Sequence, residues 1–157
     1  MQAGESPVLA SPRKFAAEDV QNASLSGGVI VGATADMILQ PAGAVTAGSL
    51  AGLVSTLGYR VLGGKLWGKL GIHDTCGVNN LHGMPGVLGG LLSVAVVLLA
   101  SEETYGPELH QVFPRLAPSH GRTVAGQALV QLAGLAITLG LAITLGLSSN
   151  SRSCRDC

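Results

Sequence analysis

The sequence has little charge and few aromatic side chains. Of its 157 residues, 11% are charged and 3% are aromatic, whereas a soluble domain carries about 25% charged residues. Basic and acidic residues balance at nine each, so no positive excess is available to bind nucleic acid phosphates. The three cysteines, Cys76, Cys154 and Cys157, are too few and too unevenly spaced for a disulfide framework. These shortages exclude an ordinary soluble domain, a nucleic-acid-binding protein and a small cross-linked secreted fold.

What the sequence has instead is long apolar, glycine-rich stretches. Hydrophobic residues make up 47% of the chain, and 23 residues are glycine. Charge is absent from residues 75–101 and 123–151, and residues 20–59 contain only Asp36. A helix needs about 20 apolar residues to cross a bilayer core about 30 Å thick. The charge-free stretches therefore have the length of membrane spans.

Proline divides the first stretch into two. Pro41 lacks the amide donor that a continuing helix needs, so we predict spans at residues 23–39, 42–61, 78–100 and 124–147. Burying so much uncharged helix in a soluble fold would need more protein than this chain contains. The sequence thus predicts an all-α polytopic membrane helix bundle with about four transmembrane helices. Around the membrane domain at 20–147 we expect a polar, disordered leader at 1–19 and a short tail at 148–157.

The loop charges predict the orientation of these spans. The loop between spans two and three contains only basic charges before Asp74, whereas the next loop contains Glu102, Glu103 and Glu108 against Arg115 and Arg122. Basic loops stay on the cytoplasmic side. We therefore expect both termini in the cytoplasm and the acidic loop outside.

Pairs of glycines recur at a spacing of four, which places both members on one helix face where backbones can approach closely. They are Gly28 with Gly32, Gly48 with Gly52, and Gly86 with Gly90. We predict that these pairs pack the spans into a bundle.

The densest polar segment, residues 74–86, opens the third span. Polar side chains at membrane depth are costly and usually face a partner or a water-filled path. In an α-helix Asn79 and His82 would share a face, with Cys76 one turn earlier, so that the three polar side chains would line a path together. We predict Asp74, Asn79 and His82 as the candidate pore-path residues. A zinc site would need a ligand beyond His73, Cys76 and His82, and no acyl-transfer signature accompanies a Cys76–His82 pair. We expect no metal, no cofactor and no enzymatic activity.

The same segment carries a family resemblance. The run from Asp74 to Gly90, DTCGVNNLHGMPGVLGG, resembles the signature helix of the Rh glycoproteins, which are relatives of the Amt ammonium transporters. The runs VQNASLSGG from Val20 and GSLAGLVSTLGY from Gly48 are similar to two further family segments. The segments ETYG and VFP, which begin at Glu103 and Val112, resemble the type B members.

The resemblance implies a fold with eleven or twelve spans in two inverted halves, assembled as a trimer with one pore per subunit. This chain would correspond to the last four spans, a C-terminal fragment. The implied setting is the bilayer of the plasma membrane, with ammonia or ammonium as cargo. Homotrimers or other Rh subunits are the implied protein partners.

The family pore contains two facing histidines, one in each half. Imidazole suits that place because its ring nitrogens both donate and accept, so it exchanges a proton with an amine near neutral pH. In this chain the second position of the pair is Asn79, whose amide cannot exchange a proton. His82 matches the other histidine of the family segment. The resemblance therefore implies ammonium or ammonia transport, impaired in this chain; the alternative is a non-conducting remnant or subunit that packs with full-length Rh proteins.

Overall fold

The computed structural model describes residues 17–37, 40–61 and 77–153. Four long helices follow one another: α1 (Ala17–Gly32), α2 (Pro41–Val61), a π-turn (Asn79–Gly83) that continues directly into α3 (Met84–Leu98), and a C-terminal helix (Val124–Ser153). Two short helices, α4 (Glu102–Tyr105) and α5 (Leu109–Val112), lie before that last helix, which is α6. The described residues contain no strand. The all-α prediction is confirmed.

The helix boundaries agree with the predicted spans except at the first span and at the end of the last, where the helix continues to Ser153. α1 ends at Gly32, seven residues before the predicted end of span one. Beyond it the backbone makes turns, in which the amide of Thr34 bonds to the carbonyl of Val31 at 3.0 Å. Glycine weakens a helix, and the Thr34 side chain is fully buried. Asp36 consequently lies exposed in a turn, outside the helix.

Two continuous helices are long and apolar enough to cross a membrane, Asn79–Leu98 with 20 residues and Val124–Gly146 with 23. The apolar stretch of α6 is almost entirely exposed within the chain, with large side chains such as Ile137 at 63% and Leu145 at 64%. A helix that is apolar all round and unburied suits a lipid environment.

The chain divides into two compact units, residues 1–89 and 90–157. In the first, α1 and α2 lie close together because small residues face each other. A Cβ atom built on Gly27 would lie 3.3 Å from the carbonyl oxygen of Gly48, and one built on Gly52 would lie 3.2 Å from the Ala23 Cβ. The buried Ser26 hydroxyl donates to the Ala23 carbonyl oxygen of its own helix at 3.0 Å and also lies 3.4 Å from the Ala51 carbonyl oxygen on α2. The two backbones are therefore in direct contact.

The start of α3 packs on α1 in the same way. A Cβ built on Gly89 would lie 2.8 Å from the Ala33 Cβ and 3.1 Å from the carbonyl oxygen of Ile30. Pro85 and Gly89, four residues apart, are both buried. Glycine at position 89 thus lets the α3 backbone reach α1.

In the second unit, residues 99–123 form a folded connection between the two apolar helices. Ser101 caps α4 by accepting the amide of Thr104 at 3.3 Å. Tyr105, Leu109 and Phe113 are spaced four apart and buried, and the rings of Tyr105 and Phe113 meet edge to face at 5.8 Å. This small apolar core orders the acidic loop.

The helix contact at Gly89 can be tested by adding one methyl group. Gly89→Ala is expected to lower the free energy of unfolding by about 1–3 kcal/mol, because the new Cβ meets the backbone of Ile30. The measurement is denaturant unfolding of the whole chain in detergent. Gly86→Ala is the matched control on the same helix, since its Cβ would meet nothing within 4 Å. Equal stability of the two variants would contradict the packing.

Candidate functional site

The polar segment singled out in the sequence forms a π-turn. The amide of Met84 donates to the carbonyl of Asn79, five residues earlier, instead of four as in an α-helix. Pro85 accounts for the wider turn: it has no amide to offer the Leu81 carbonyl, and its ring crowds that carbonyl. Single π-turns inside helices are frequent at functional sites.

The π-turn changes which side chain is buried. Continuing the spacing of four from Gly89 and Pro85 would bury Leu81 next, but Leu81 is half-buried and Asn80, five residues before Pro85, is buried. Asn80 is 2% exposed. The wider turn therefore places an amide in the interior where an α-helix would place leucine.

The two predicted pore-path residues in the described segment have different environments. Asn79 is half-buried, and its Oδ1 atom lies 2.7 Å from a Cβ built on Gly83. His82 is exposed. A π-turn contains more residues than an α-turn, so side chains three apart are not stacked on one face as we predicted for an α-helix. Asp74, the third predicted residue, lies outside the described residues.

The buried amide of Asn80 lies against α2. Its Oδ1 atom lies 2.8 Å from a Cβ built on Gly58, and the end of the Met84 side chain contacts the same point. Asn80 Oδ1 has no hydrogen-bond partner among the described residues. Ser55 lies one turn earlier on α2 and is fully buried, and its hydroxyl also has no hydrogen-bond partner among the described residues.

Gly77, just before the π-turn, is held in the left-handed region. Its φ is +66°, which costs other residues about 1–2 kcal/mol, and a Cβ there would run into the Tyr59 hydroxyl. The Gly77 carbonyl oxygen accepts hydrogen bonds from the amides of Asn80 and Leu81, each with an N···O distance of 3.0 Å. The ring of Tyr59 on α2 thus fixes the entry to the π-turn.

The six predicted packing glycines separate into two sets. Gly48 and Gly52 lie against α1. Gly90 lies against Leu135, because a Cβ atom built on Gly90 would be 2.6 Å from the Leu135 Cδ1 atom. A Cβ atom built on any of the other three glycines would meet nothing within 4 Å. These three are Gly28, Gly32 and Gly86. On α1 the contacts come from Ala23 and Gly27, which the search for glycine pairs missed; a search for any two small residues four apart would have found them.

A groove with a volume of about 710 Å³ runs over the contact between α1 and α2. Small residues and hydroxyls form much of it, and its lining includes Ala23, Ser24, Gly27, Gly48, Ser49 and Thr56. Among the described residues no three His, Cys, Asp or Glu side chains lie close enough together to hold a metal ion.

Comparisons with known proteins agree with the sequence resemblance. The Ammonium Transporter Family matches residues 8–151. The chain is 55% identical over 120 residues to "Ammonium transporter Rh type B" of Pan troglodytes, 54% to that of Homo sapiens and 52% to that of Mus musculus. Each alignment covers 76% of this chain and 26% of the relative, so the chain spans about a quarter of the length of these curated relatives. The chain belongs to the ammonium transporter family.

The entry to the π-turn is testable at its glycine. Gly77→Ala is expected to destabilise the chain by more than the strain of about 1–2 kcal/mol alone, because the methyl group also displaces Tyr59. Gly121→Ala is the control, since Gly121 has a φ of +63° and open space around its Cβ position. The measurement is the free energy of unfolding of both variants. An equal loss of stability in the two would rule out the Tyr59 contact.

Proposed function

We propose that this chain forms part of a transmembrane path for ammonia or ammonium in an Rh-type channel. Family membership supports the substrate class, and the names of the similar proteins match it. The observation that carries the proposal is the π-turn, which buries the amide of Asn80 and leaves that of Asn79 half-buried at the start of an apolar helix long enough to cross a membrane.

Within this path, Asn79 is a hydrogen-bonding group and not a proton-exchanging one. An amide donates and accepts hydrogen bonds but does not titrate near neutral pH. An amine that passes Asn79 therefore keeps the protonation state with which it arrives. We propose that conduction is slower than through a path with imidazole at this position, and that no chemical reaction is catalysed.

The second candidate function is a non-conducting subunit that packs beside longer Rh proteins. Two observations favour it: the extensive apolar surface of α6 and the groove over α1 and α2. Either function places the chain in the plasma membrane, as a homotrimer or beside other Rh subunits. Transport measurements separate the two, since a packing subunit conducts nothing whatever residue is at position 79.

Restoring imidazole at position 79 tests the proposed path. Asn79→His in the full chain is expected to raise methylammonium uptake into proteoliposomes above that of the wild type, by about 10-fold or more if proton exchange contributes as general acid–base groups do. Asn79→Gln is the control, because it keeps an amide and should stay at the wild-type rate. If all three proteins match empty liposomes, the conducting function is refuted and the packing function remains.

The orientation is a separate proposal, supported by the charges of the loops. Glu103 is exposed on α4 within the acidic loop, and acidic loops are not retained in the cytoplasm by the positive-inside rule. A Glu103→Cys variant in intact cells should react with an impermeant maleimide. The unaltered chain is the control, because Cys76, Cys154 and Cys157 belong to segments that we propose to be cytoplasmic and should stay unlabelled in intact cells. Labelling of Glu103→Cys only after permeabilisation would invert the topology.

A further inference from the structure

Two buried oxygen atoms in the first unit lack partners among the described residues. They are Ser55 Oγ, on a residue with 0% exposure, and Asn80 Oδ1, on a residue with 2% exposure. Buried polar atoms are nearly always hydrogen-bonded, so each exception calls for an explanation. A serine within a helix often donates to a carbonyl of its preceding turn, as Ser24 and Ser93 do here, but Ser55 does not.

Both oxygens are linked to one face of α2, the face that the π-turn contacts at Gly58. Ser55 and Gly58 are three residues apart on α2 and so share a face. Asn80 Oδ1 lies over Gly58, 2.8 Å from the place of a Cβ. Only glycine at position 58 leaves room for the amide, and the π-turn is what brings Asn80 to it. Ser55 therefore lies about one helical turn before the α2 residue that Asn80 Oδ1 contacts.

The chemistry of the pair defines what would bind between them. Asn80 Oδ1 only accepts hydrogen bonds, while the Ser55 hydroxyl accepts as well as donates. A guest must therefore be rich in N–H or O–H donors and small, since the Gly58 backbone closes one side. The end of the Met84 side chain forms another side, and a flexible thioether can move to admit one small molecule.

We propose that Ser55 and Asn80 together bind ammonium or a small primary amine at the interface of α2 and the π-turn. Each oxygen accepts one N–H donor, and the remaining donors of the cation reach backbone carbonyls or water. This inference deepens the proposed function and rests on it for the identity of the guest. It assigns the substrate contact to Asn80 and Ser55, separate from Asn79.

Ligand-dependent stability of the full chain in detergent tests the site. Ammonium chloride is expected to raise the midpoint of thermal unfolding by about 2–4 °C relative to potassium chloride at the same concentration and pH. Potassium has the same charge and a similar size but no N–H donors. Ser55→Ala and Asn80→Leu should abolish the difference between the two salts.

Ser93→Ala is the matched control, because Ser93 is also a buried helical serine but donates to the Gly90 carbonyl at 2.7 Å. It should keep the full ammonium shift. If Asn80→Leu does not fold, Ser55→Ala alone decides. An equal shift in potassium, or an ammonium shift that survives Ser55→Ala, would overturn the site.

The outcome is separable from that of the proposed transport. Uptake that rises in Asn79→His, together with no ammonium-specific shift, supports the path and refutes the Ser55–Asn80 site. An ammonium-specific shift that needs Ser55, with no uptake by any variant, supports the site and refutes conduction.

Discussion

The first unit depends on helix backbones that touch without a side chain between them. α1 meets α2 where Gly27 lies against Gly48, and α3 meets α1 where Gly89 lies against Ile30. In a membrane no water is released when apolar helices associate, so van der Waals contact and a few hydrogen bonds must stabilise the bundle. Close backbone approach maximises that contact. The Ser26 hydroxyl, which lies 3.4 Å from the Ala51 carbonyl oxygen, adds a polar contact at the same interface.

The site depends on the same feature, applied to a polar group. Gly58 gives space to an amide, and Gly77 gives space to the Tyr59 ring. Pro85 has no amide to donate to the Leu81 carbonyl, and the helical turn before it is wider. Together these residues bury the Asn80 side chain at the place where a regular α-helix would bury Leu81. A buried amide costs free energy unless something pairs with it, so an arrangement that buries one is better explained by binding than by packing.

The sequence predicted the architecture well and the site only partly. Charge-free stretches locate helices because charge is costly in lipid, and three of the four predicted spans agree with helix boundaries to within a few residues, apart from the extension of α6 to Ser153. The end of α1 was wrong by seven residues, because apolar composition continues through Ala33 and Thr34 while the backbone does not remain helical. The π-turn was missed because helix periodicity assumes one spacing throughout. Pro85 was the sequence signal for the π-turn, because a proline cannot donate a hydrogen bond to the carbonyl of the residue four before it and its ring crowds that carbonyl.

The buried chemistry of the described residues limits how any amine could cross. The buried polar side chains are Ser26, Thr34, Ser55, Asn80 and Ser93, and none of them ionises near neutral pH. His82, the imidazole nearest the π-turn, is exposed. Among the buried side chains of the described part of the first unit, a proton therefore has no titratable group on which to rest. If ammonium enters whole, its charge must be stabilised by neutral oxygens alone, and two unpaired oxygens such as those of Ser55 and Asn80 are the groups suited to that task. If ammonia enters, ammonium has to lose its proton before it reaches these buried side chains. The neutral chemistry of the buried side chains thus limits which species the path would carry.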